Sequence, residues 1–254
     1  MLSKRILQQS VNVNFEFQVG MYFDDSISLD NSEILYSKHI DDYYWNYAIN
    51  LISSERAIGH TLTEIEEAMN SIHREPAFYL LPWTSSDYQI RNELRSRGYM
   101  PQFHDAWMFY DEAQTIGLRS QRKLNIVVAE DQEYQEIFAN LWKTINGGDA
   151  TPDEPYGALP PSYVDALQQS FSSTQDNQTF HLIGYLDKKP VSIATLTCNC
   201  GWGAIYNVGT LKSSRREGYG SEMSIACIEK WKELRGLALF LQTEAGSVVE
   251  SLYQ

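Results

Sequence analysis

In the second half of the chain, the spacing of apolar and polar residues predicts a series of strands and helices. Branched apolar residues in LNIVVAE, residues 124–130, predict a strand. The next segment spaces its apolar residues three and four apart, which predicts a helix over 131–145. Asp131 is a suitable N-cap for this helix, and Asn146 followed by two glycines is a stop signal.

Beyond this helix, the pattern predicts a second helix, three consecutive strands, a long helix, a buried strand and the start of a last helix. In that order, the ranges are 162–171, 178–187, 190–199, 203–210, 218–234, 237–243 and 246–254. A turn at 187–189 joins the first two of these strands as a hairpin. This order predicts antiparallel strands, then a crossover helix and a parallel partner strand.

The first half has its own pattern of strands and helices. Strands are predicted at 15–23, 43–51, 77–82 and 105–111, and helices at 63–73 and 88–98. We interpret the strand at 105–111 as the last element of this half. A polar run at 112–123 separates the halves, so we predict domains at 1–115 and 122–254.

Charge and composition narrow the possible functions. The chain of 254 residues carries a net charge of −13. Both halves are acidic, so neither offers the basic face that nucleic acid needs, while a cationic amine suits such a surface. The three cysteines favour a reducing, cytoplasmic location. No apolar run is long enough to span a membrane, and the histidines lack metal-ligand spacing.

One basic, glycine-containing stretch differs from its acidic surroundings. In YNVGTLKSSRREGYGSEMS, residues 206–224, Arg215 and Arg216 stand just before Gly218 and Gly220, where a helix is predicted to open. The first turn of a helix has unpaired N–H groups and the positive end of the helix dipole, and glycine permits close approach to the backbone. The stretch therefore predicts a site for phosphate or pyrophosphate.

In this context, the second half resembles the GCN5-related N-acetyltransferase (GNAT) family. Residues Arg215–Gly220, RREGYG, match the family's acyl-CoA motif Q/R-x-x-G-x-G/A, and Tyr206–Thr210 is similar to its central strand. The element order over 124–254 is also that of the family. The resemblance implies the α+β acyl-CoA N-acyltransferase fold with a mixed sheet. It also implies acetyl-CoA as co-substrate and transfer to a primary amine, from a small molecule or peptide, by direct attack.

The resemblance also implies roles for single residues. A splay between the strands at 203–210 and 237–243, helped by a β-bulge, would open a groove for the cofactor. A backbone N–H near Val208 would polarise the thioester carbonyl. Tyr253 is the expected general acid, with simple packing of the last helix as the alternative. The expected cofactor-binding residues are Val208, Gly209, Thr210, Arg215, Arg216, Glu217, Gly218, Tyr219, Gly220, Ser221 and Gln242.

Some features leave alternatives open. No general base is assigned among Glu154, Tyr156 and Glu244. The family usually continues into two more strands beyond the position of Gln254, so either the C-terminus is truncated or another element covers that sheet edge. The first half resembles a degenerate GNAT domain without the acyl-CoA motif, which gives a tandem arrangement; an unrelated α+β domain is the alternative. A non-catalytic, regulatory acyl-CoA-binding protein is the alternative function.

Overall fold

A computed structural model describes residues 4–52, 57–81, 87–112, 123–148, 158–171 and 177–253. Contacts divide the chain into an N-terminal unit, Met1–Gln8 with Gln18–Gln102, and a C-terminal unit, Gln9–Phe17 with Phe103–Gln254. The proposed boundary between domains 1–115 and 122–254 lies largely outside the described residues and stays a prediction.

The C-terminal unit is a mixed sheet with helices. Its strands are β4 (Asp105–Phe109), β5 (Asn125–Val128), β6 (Gln178–Leu186), β7 (Lys189–Asn199), β8 (Trp202–Thr210) and β9 (Ala238–Glu244). Its helices are α4 (Gln132–Ile145), α5 (Pro161–Ser170) and α6 (Tyr219–Glu233). The strand order is β4-β9-β8-β7-β6-β5, with β8 and β9 parallel and every other neighbouring pair antiparallel. This confirms the hairpin, the crossover helix and the parallel partner strand predicted from the sequence.

Helices cover both faces of this sheet. One core cluster joins the apolar stripe of α6, Met223, Cys227 and Trp231, to strand residues that include Leu196 and Leu239. The opposite face packs against α4, whose Phe138 is fully buried. Asp131 caps α4 as predicted, since its carboxylate accepts a hydrogen bond from the Tyr134 N–H at 2.9 Å.

The strand predicted at 105–111 forms as β4, but it does not close the N-terminal half. It pairs antiparallel with β9, with Asp105 opposite Glu244 and Phe109 opposite Phe240. Trp107 packs on Phe240 with ring centroids 5.5 Å apart. An element from earlier in the chain therefore covers the outer edge of β9, which was one of the two outcomes expected for that edge.

The N-terminal unit has a three-stranded antiparallel sheet, β1 (Asp25–Leu29), β2 (Ser32–Tyr36) and β3 (Asn46–Ile49). The helices α2 (Ile58–Ser71) and α3 (Asp87–Ser96) pack against it through Ile65, Met69 and Ile90. The β1–β2 hairpin was missed by the sequence analysis. Of the strand predicted at 77–82, a single bridge from Phe78 to Ala48 forms among the described residues.

Two expected elements are wrong. The strand predicted at 15–23 does not form: residues 15–18 are the end of α1 (Lys4–Gln18), and residues 20–22 form a turn. Val11, Asn14 and Phe15 are buried along that helix, a helical spacing that the aromatic pair Phe15 and Phe17 obscured. The last predicted helix is a single 3₁₀ turn, Glu250–Leu252.

Among the described residues, no helix combines the length and apolarity needed to cross a membrane. Within the same ranges, no three His, Cys, Asp or Glu side chains are grouped to hold a metal ion.

Candidate functional site

The central feature of the site is a β-bulge in β8. Ile193 of β7 lies opposite Gly209, and Thr195 lies opposite Tyr206. Two residues of β8, Asn207 and Val208, therefore stand against one residue of β7. Asn207 adopts a left-handed backbone with φ of 54°, a conformation that asparagine tolerates better than most side chains. The bulge expected in this strand is thus present, and it turns the backbone around Val208 out of the regular ladder.

Next to this bulge, β8 and β9 separate. Their parallel pairing ends where Ile205 lies opposite Leu241. Strand β8 stays paired with β7 as far as Thr210, and β9 stays paired with β4 as far as Glu244. Each strand keeps its outer neighbour while the inner pairing stops, which opens a cleft within the sheet. The splay expected between these two strands is confirmed, and it places Val208, Gly209, Thr210 and Gln242 on its two sides.

A loop joins the end of β8 to the N-terminus of α6. Gly218 caps the helix in the left-handed conformation, with φ of 86°, and Arg216 is also left-handed at 66°. A Cβ built on Gly218 would meet no atom within 4 Å, so the need for glycine there comes from the backbone conformation. Tyr219 is buried against the α6 core, whereas Arg216, Glu217 and Ser221 are exposed at the loop surface.

Hydrogen bonds fix this loop at both ends. The Arg215 Nε donates to the Thr210 carbonyl at 3.0 Å, which ties the arginine back to β8. The Lys123 ammonium donates to the Glu217 carbonyl at 3.3 Å. Lys123, which sequence analysis did not identify, therefore adds a third cation beside Arg215 and Arg216. The exposed Glu217 carboxylate, 3.8 Å from Lys123 Nζ, offsets part of this charge.

Gly220 is the second residue of α6 and lies over the splayed end of β8. A Cβ there would meet Val208 Cγ1 at 3.9 Å and Thr210 Oγ1 at 4.0 Å, which are ordinary contacts. The first turn of α6 therefore lies directly beside the bulged strand. The predicted anion-binding residues and the predicted groove residues are brought together at one place.

Tyr253 follows the terminal 3₁₀ turn and contacts α6. Its hydroxyl is within hydrogen-bonding reach of Ser224, and burial raises the pKa of the phenol. Ser224 in turn donates to the Gly220 carbonyl at 3.0 Å. Tyr253 is thus a neutral phenol linked through one serine to the first turn of α6.

Of the residues considered as a general base, Glu244 is the one that the structure describes. It lies opposite Asp105 in the pairing of β4 and β9, and Asp105 accepts a hydrogen bond from Gln242 at 3.5 Å. Glu154 and Tyr156 lie outside the described residues. No general base is therefore identified by the geometry.

A chain of side-chain hydrogen bonds behind the bulge, buried except at the half-buried Asn207, was missed by the sequence analysis. Trp142 Nε1 donates to Asn207 Oδ1 at 3.2 Å, and Asn207 Nδ2 donates to Thr195 Oγ1 at 3.2 Å. Thr195 Oγ1 is 3.0 Å from His181 Nδ1. Phe138 and Phe171 pack on the imidazole at 4.8 and 4.6 Å between centroids. His181 is a buried, hydrogen-bonded histidine, and its link to the bulge appears only in three dimensions.

The buried imidazole predicts a pH dependence of stability. Burial lowers the pKa of His181 to about 3, whereas an unfolded histidine has a pKa of about 6.5. Between those values the unfolded chain binds a proton that the folded chain does not, so stability falls as pH decreases through that range. From pH 7 to pH 5, the loss from His181 alone is about 2 kcal/mol.

Urea unfolding of the native chain and of His181→Gln at pH 7 and pH 5 checks this. The native chain should lose more free energy of unfolding than the variant, by about the amount given above. Equal losses in both proteins would show that the native imidazole titrates freely.

Neither protein-family models nor curated proteins match this sequence. Solved structures match over most of the chain. A GCN5-related N-acetyltransferase from Kribbella flavida is 15% identical with a TM-score of 0.65, over 92% of this chain and 84% of that chain. A functionally unknown conserved protein from Staphylococcus epidermidis ATCC 12228 is 16% identical with a TM-score of 0.65, over 92% and 89%.

A third matching structure is described as a tandem protein. A tandem GNAT protein from the clavulanic acid biosynthesis pathway is 10% identical with a TM-score of 0.58, over 87% of this chain and 72% of that chain. These likenesses establish the class: the chain has the α+β GNAT fold in its tandem form. The acyl-CoA motif predicted from sequence lies in the C-terminal unit at Arg215–Gly220.

Proposed function

We propose that this protein is an N-acetyltransferase that transfers an acetyl group from acetyl-CoA to a primary amine by direct attack. The observation that carries the proposal is the convergence of three features at one end of the C-terminal sheet. These are the splay of β8 from β9, the bulge at Asn207, and the left-handed loop that opens α6. In this proposal, the three features together form a groove that ends at an anion site.

The loop and the first turn of α6 fit the pyrophosphate of acetyl-CoA. The N–H groups from Arg216 to Ser221 and the helix dipole favour a bound anion. Arg216 and Lys123 add positive charge at the loop surface. Arg215 has a different role in this proposal, because its Nε is already bonded to the Thr210 carbonyl and holds the loop against β8.

The splayed end of β8 fits the pantetheine arm through backbone groups. The Gly209 carbonyl accepts a bond from Ser192 Oγ at 2.7 Å, and the Thr210 carbonyl accepts one from Arg215. The Thr210 carbonyl oxygen keeps a second lone pair, whereas the Gly209 carbonyl also lies opposite Ile193 in the ladder with β7. We therefore expect the main contacts to the pantetheine arm at the backbone of Val208, in the bulge, and at Gln242 on the facing strand.

The chemistry requires positioning and two proton movements. When bound, acetyl-CoA supplies an activated thioester. The amine nitrogen would form a bond to the acetyl carbon as the carbon–sulfur bond breaks. The nitrogen would release its proton to solvent water, and the departing sulfur would take up a proton and leave as the free thiol of CoA. The Val208 N–H would stabilise charge on the carbonyl oxygen. The Tyr253 hydroxyl, neutral because burial raises its pKa, would give a proton to the leaving sulfur. The amine is held in line, with competing water excluded.

The second candidate is a non-catalytic, regulatory protein that binds acyl-CoA. It is favoured because no general base is assigned among the described residues, although Glu244 ends β9 and Asp105 accepts a hydrogen bond from Gln242 beside the groove. Such a protein would bind acetyl-CoA and release no thiol with any amine. The remaining expectations, a cytoplasmic location and no nucleic-acid partner, belong to the same proposal.

Isothermal titration of the full chain with acetyl-CoA and with CoA tests the proposal first. We expect saturable binding of both, with an affinity that falls as salt screens the pyrophosphate contacts. Screening of small and peptide amines for release of free thiol then separates enzyme from binding protein. Absence of binding by a folded chain would contradict both candidates.

A further inference from the structure

The bulge in β8 is held from behind by side chains that do not belong to the cofactor groove. We infer that Asn207, Thr195 and His181, with Trp142, act as positioning residues that fix the bulge and so aim the Val208 N–H at the thioester carbonyl. This inference rests on the proposed function, because it assigns a task to the site proposed above.

Two of the three hydrogen-bond directions in the chain follow from the donors. An indole N–H can only donate, so the atom of Asn207 facing Trp142 is the amide oxygen. The amide nitrogen then faces Thr195 and donates to its hydroxyl. Thr195 Oγ1 is 3.0 Å from His181 Nδ1, and the direction of that bond depends on the imidazole tautomer.

Burial makes this arrangement rigid. The exposed fractions are 4% for Trp142, 0% for Thr195 and 5% for His181, while Asn207 is half-buried. Water cannot replace a partner at the depth of Thr195 and His181, so breaking a bond there leaves a buried polar group unsatisfied. Burial also lowers the pKa of His181 to about 3, so the imidazole stays neutral at physiological pH.

The same chain determines the backbone of β8. Asn207 has φ of 54°, and its side chain bonds to α4 on one side and to β7 on the other. These two bonds hold the residue in a conformation that costs an L-residue about 1–2 kcal/mol. The neighbouring peptide, which carries the Val208 N–H, is held with it. A shift of a few tenths of an ångström there would misalign a donor whose contribution depends on distance and angle.

Thr195→Val provides the test, because it is isosteric, favours a strand, and removes only the link between Asn207 and His181. Thr197→Val is the matched control. Thr197 is equally buried, lies two residues further on the same face of β7, and bonds Thr179 Oγ1 at 3.2 Å, outside this chain. Thr195→Ser is the conservative rescue. Asn207→Gly is a second variant, which keeps the left-handed backbone accessible but removes the side-chain bonds.

The readout is the infrared carbonyl stretch of bound acetyl-CoA carrying a ¹³C label on the acetyl carbonyl, with CoA affinity measured alongside. In the native chain, the N–H bond should lower the stretching frequency relative to free acetyl-CoA. In Thr195→Val and Asn207→Gly, we expect this shift to be largely lost and the preference for acetyl-CoA over CoA to fall by about 2- to 10-fold. Affinity for CoA itself should not change, and Thr195→Ser and Thr197→Val should behave as native.

The outcomes separate this inference from the proposed function. A native chain that binds no CoA would overturn the proposed function, and the inference with it. A native chain that binds acetyl-CoA with a shifted carbonyl, and keeps the shift in Thr195→Val and Asn207→Gly, would overturn the inference alone. Equal loss in Thr197→Val would also overturn it, because the effect would then follow general loss of packing in β7.

Discussion

Gly220→Asp should weaken the binding of CoA by at least about 100-fold, while Gly220→Ala should bind within a few-fold of the native chain. Two unit charges 4 Å apart interact by about 1 kcal/mol in bulk water and by about 4 kcal/mol near a protein surface. The diphosphate carries more than one charge, which increases the repulsion. A carboxylate in the first turn of α6 would meet that charge at the proposed anion site. The alanine adds only a methyl group that makes ordinary contacts, at 3.9 Å from Val208 and 4.0 Å from Thr210.

Both variants should fold, which makes the comparison decisive. An acidic residue in the first turn of a helix is favourable by about 0.3–1 kcal/mol, and replacing a helical glycine with alanine gains about 1 kcal/mol. A Cβ at this position overlaps no neighbour. Calorimetric titration with CoA, beside thermal unfolding of each variant, provides the measurement. Retained affinity in a folded Gly220→Asp protein would place the anion site elsewhere.

Tyr253→Phe should lower kcat by about 100-fold or more for any amine that the protein acetylates, with CoA affinity unchanged. Proton transfer by a positioned side chain contributes about 10²–10⁴-fold to rate, and phenylalanine keeps the ring while removing the proton. Because burial raises the pKa of this phenol, the hydroxyl carries its proton at neutral pH and can donate it. Release of free thiol under saturating acetyl-CoA measures the loss.

Tyr185→Phe is the control for this change. Tyr185 is a partly buried tyrosine on β6 whose pKa is also raised by burial, and it lies outside the groove. It should retain the native kcat. If Tyr253→Phe retained it too, Tyr253 would be a packing residue, which is the alternative that the sequence left open for it.

Local signals were enough to predict most of the C-terminal unit. The helix at α4 was readable because Asp131, Asn146 and the apolar spacing between them act within a few residues of chain. The loop before α6 was readable because Gly218 and Gly220 follow two arginines at the start of a helix, and Gly218 takes the left-handed conformation that favours glycine. The family resemblance added the splay and the bulge in β8, and both are present.

The N-terminal unit was harder to predict because its signals are ambiguous. Phe15 and Phe17 alternate as in a strand, yet they belong to α1, where Val11 and Asn14 complete a helical face. Over so few residues, a strand and a helix period cannot be told apart by apolar positions alone. The β1–β2 hairpin was missed because its strands, at five residues each, are short.

The amino-acid sequence by itself indicated the GNAT fold class, the order of strands and main helices in the C-terminal unit and the basic, glycine-containing loop before α6, since each depends on neighbouring residues or on a contiguous motif. Only the tertiary structure decided which strand covers β9 and what holds the bulge. Strand β4 reaches β9 across more than a hundred residues of chain, as Asp105 opposite Glu244 shows. Trp142, Asn207, Thr195 and His181 meet from four separate elements. Contacts at such sequence separations do not show in the local spacing of apolar and polar residues, because they depend on how the sheet and its helices pack in three dimensions.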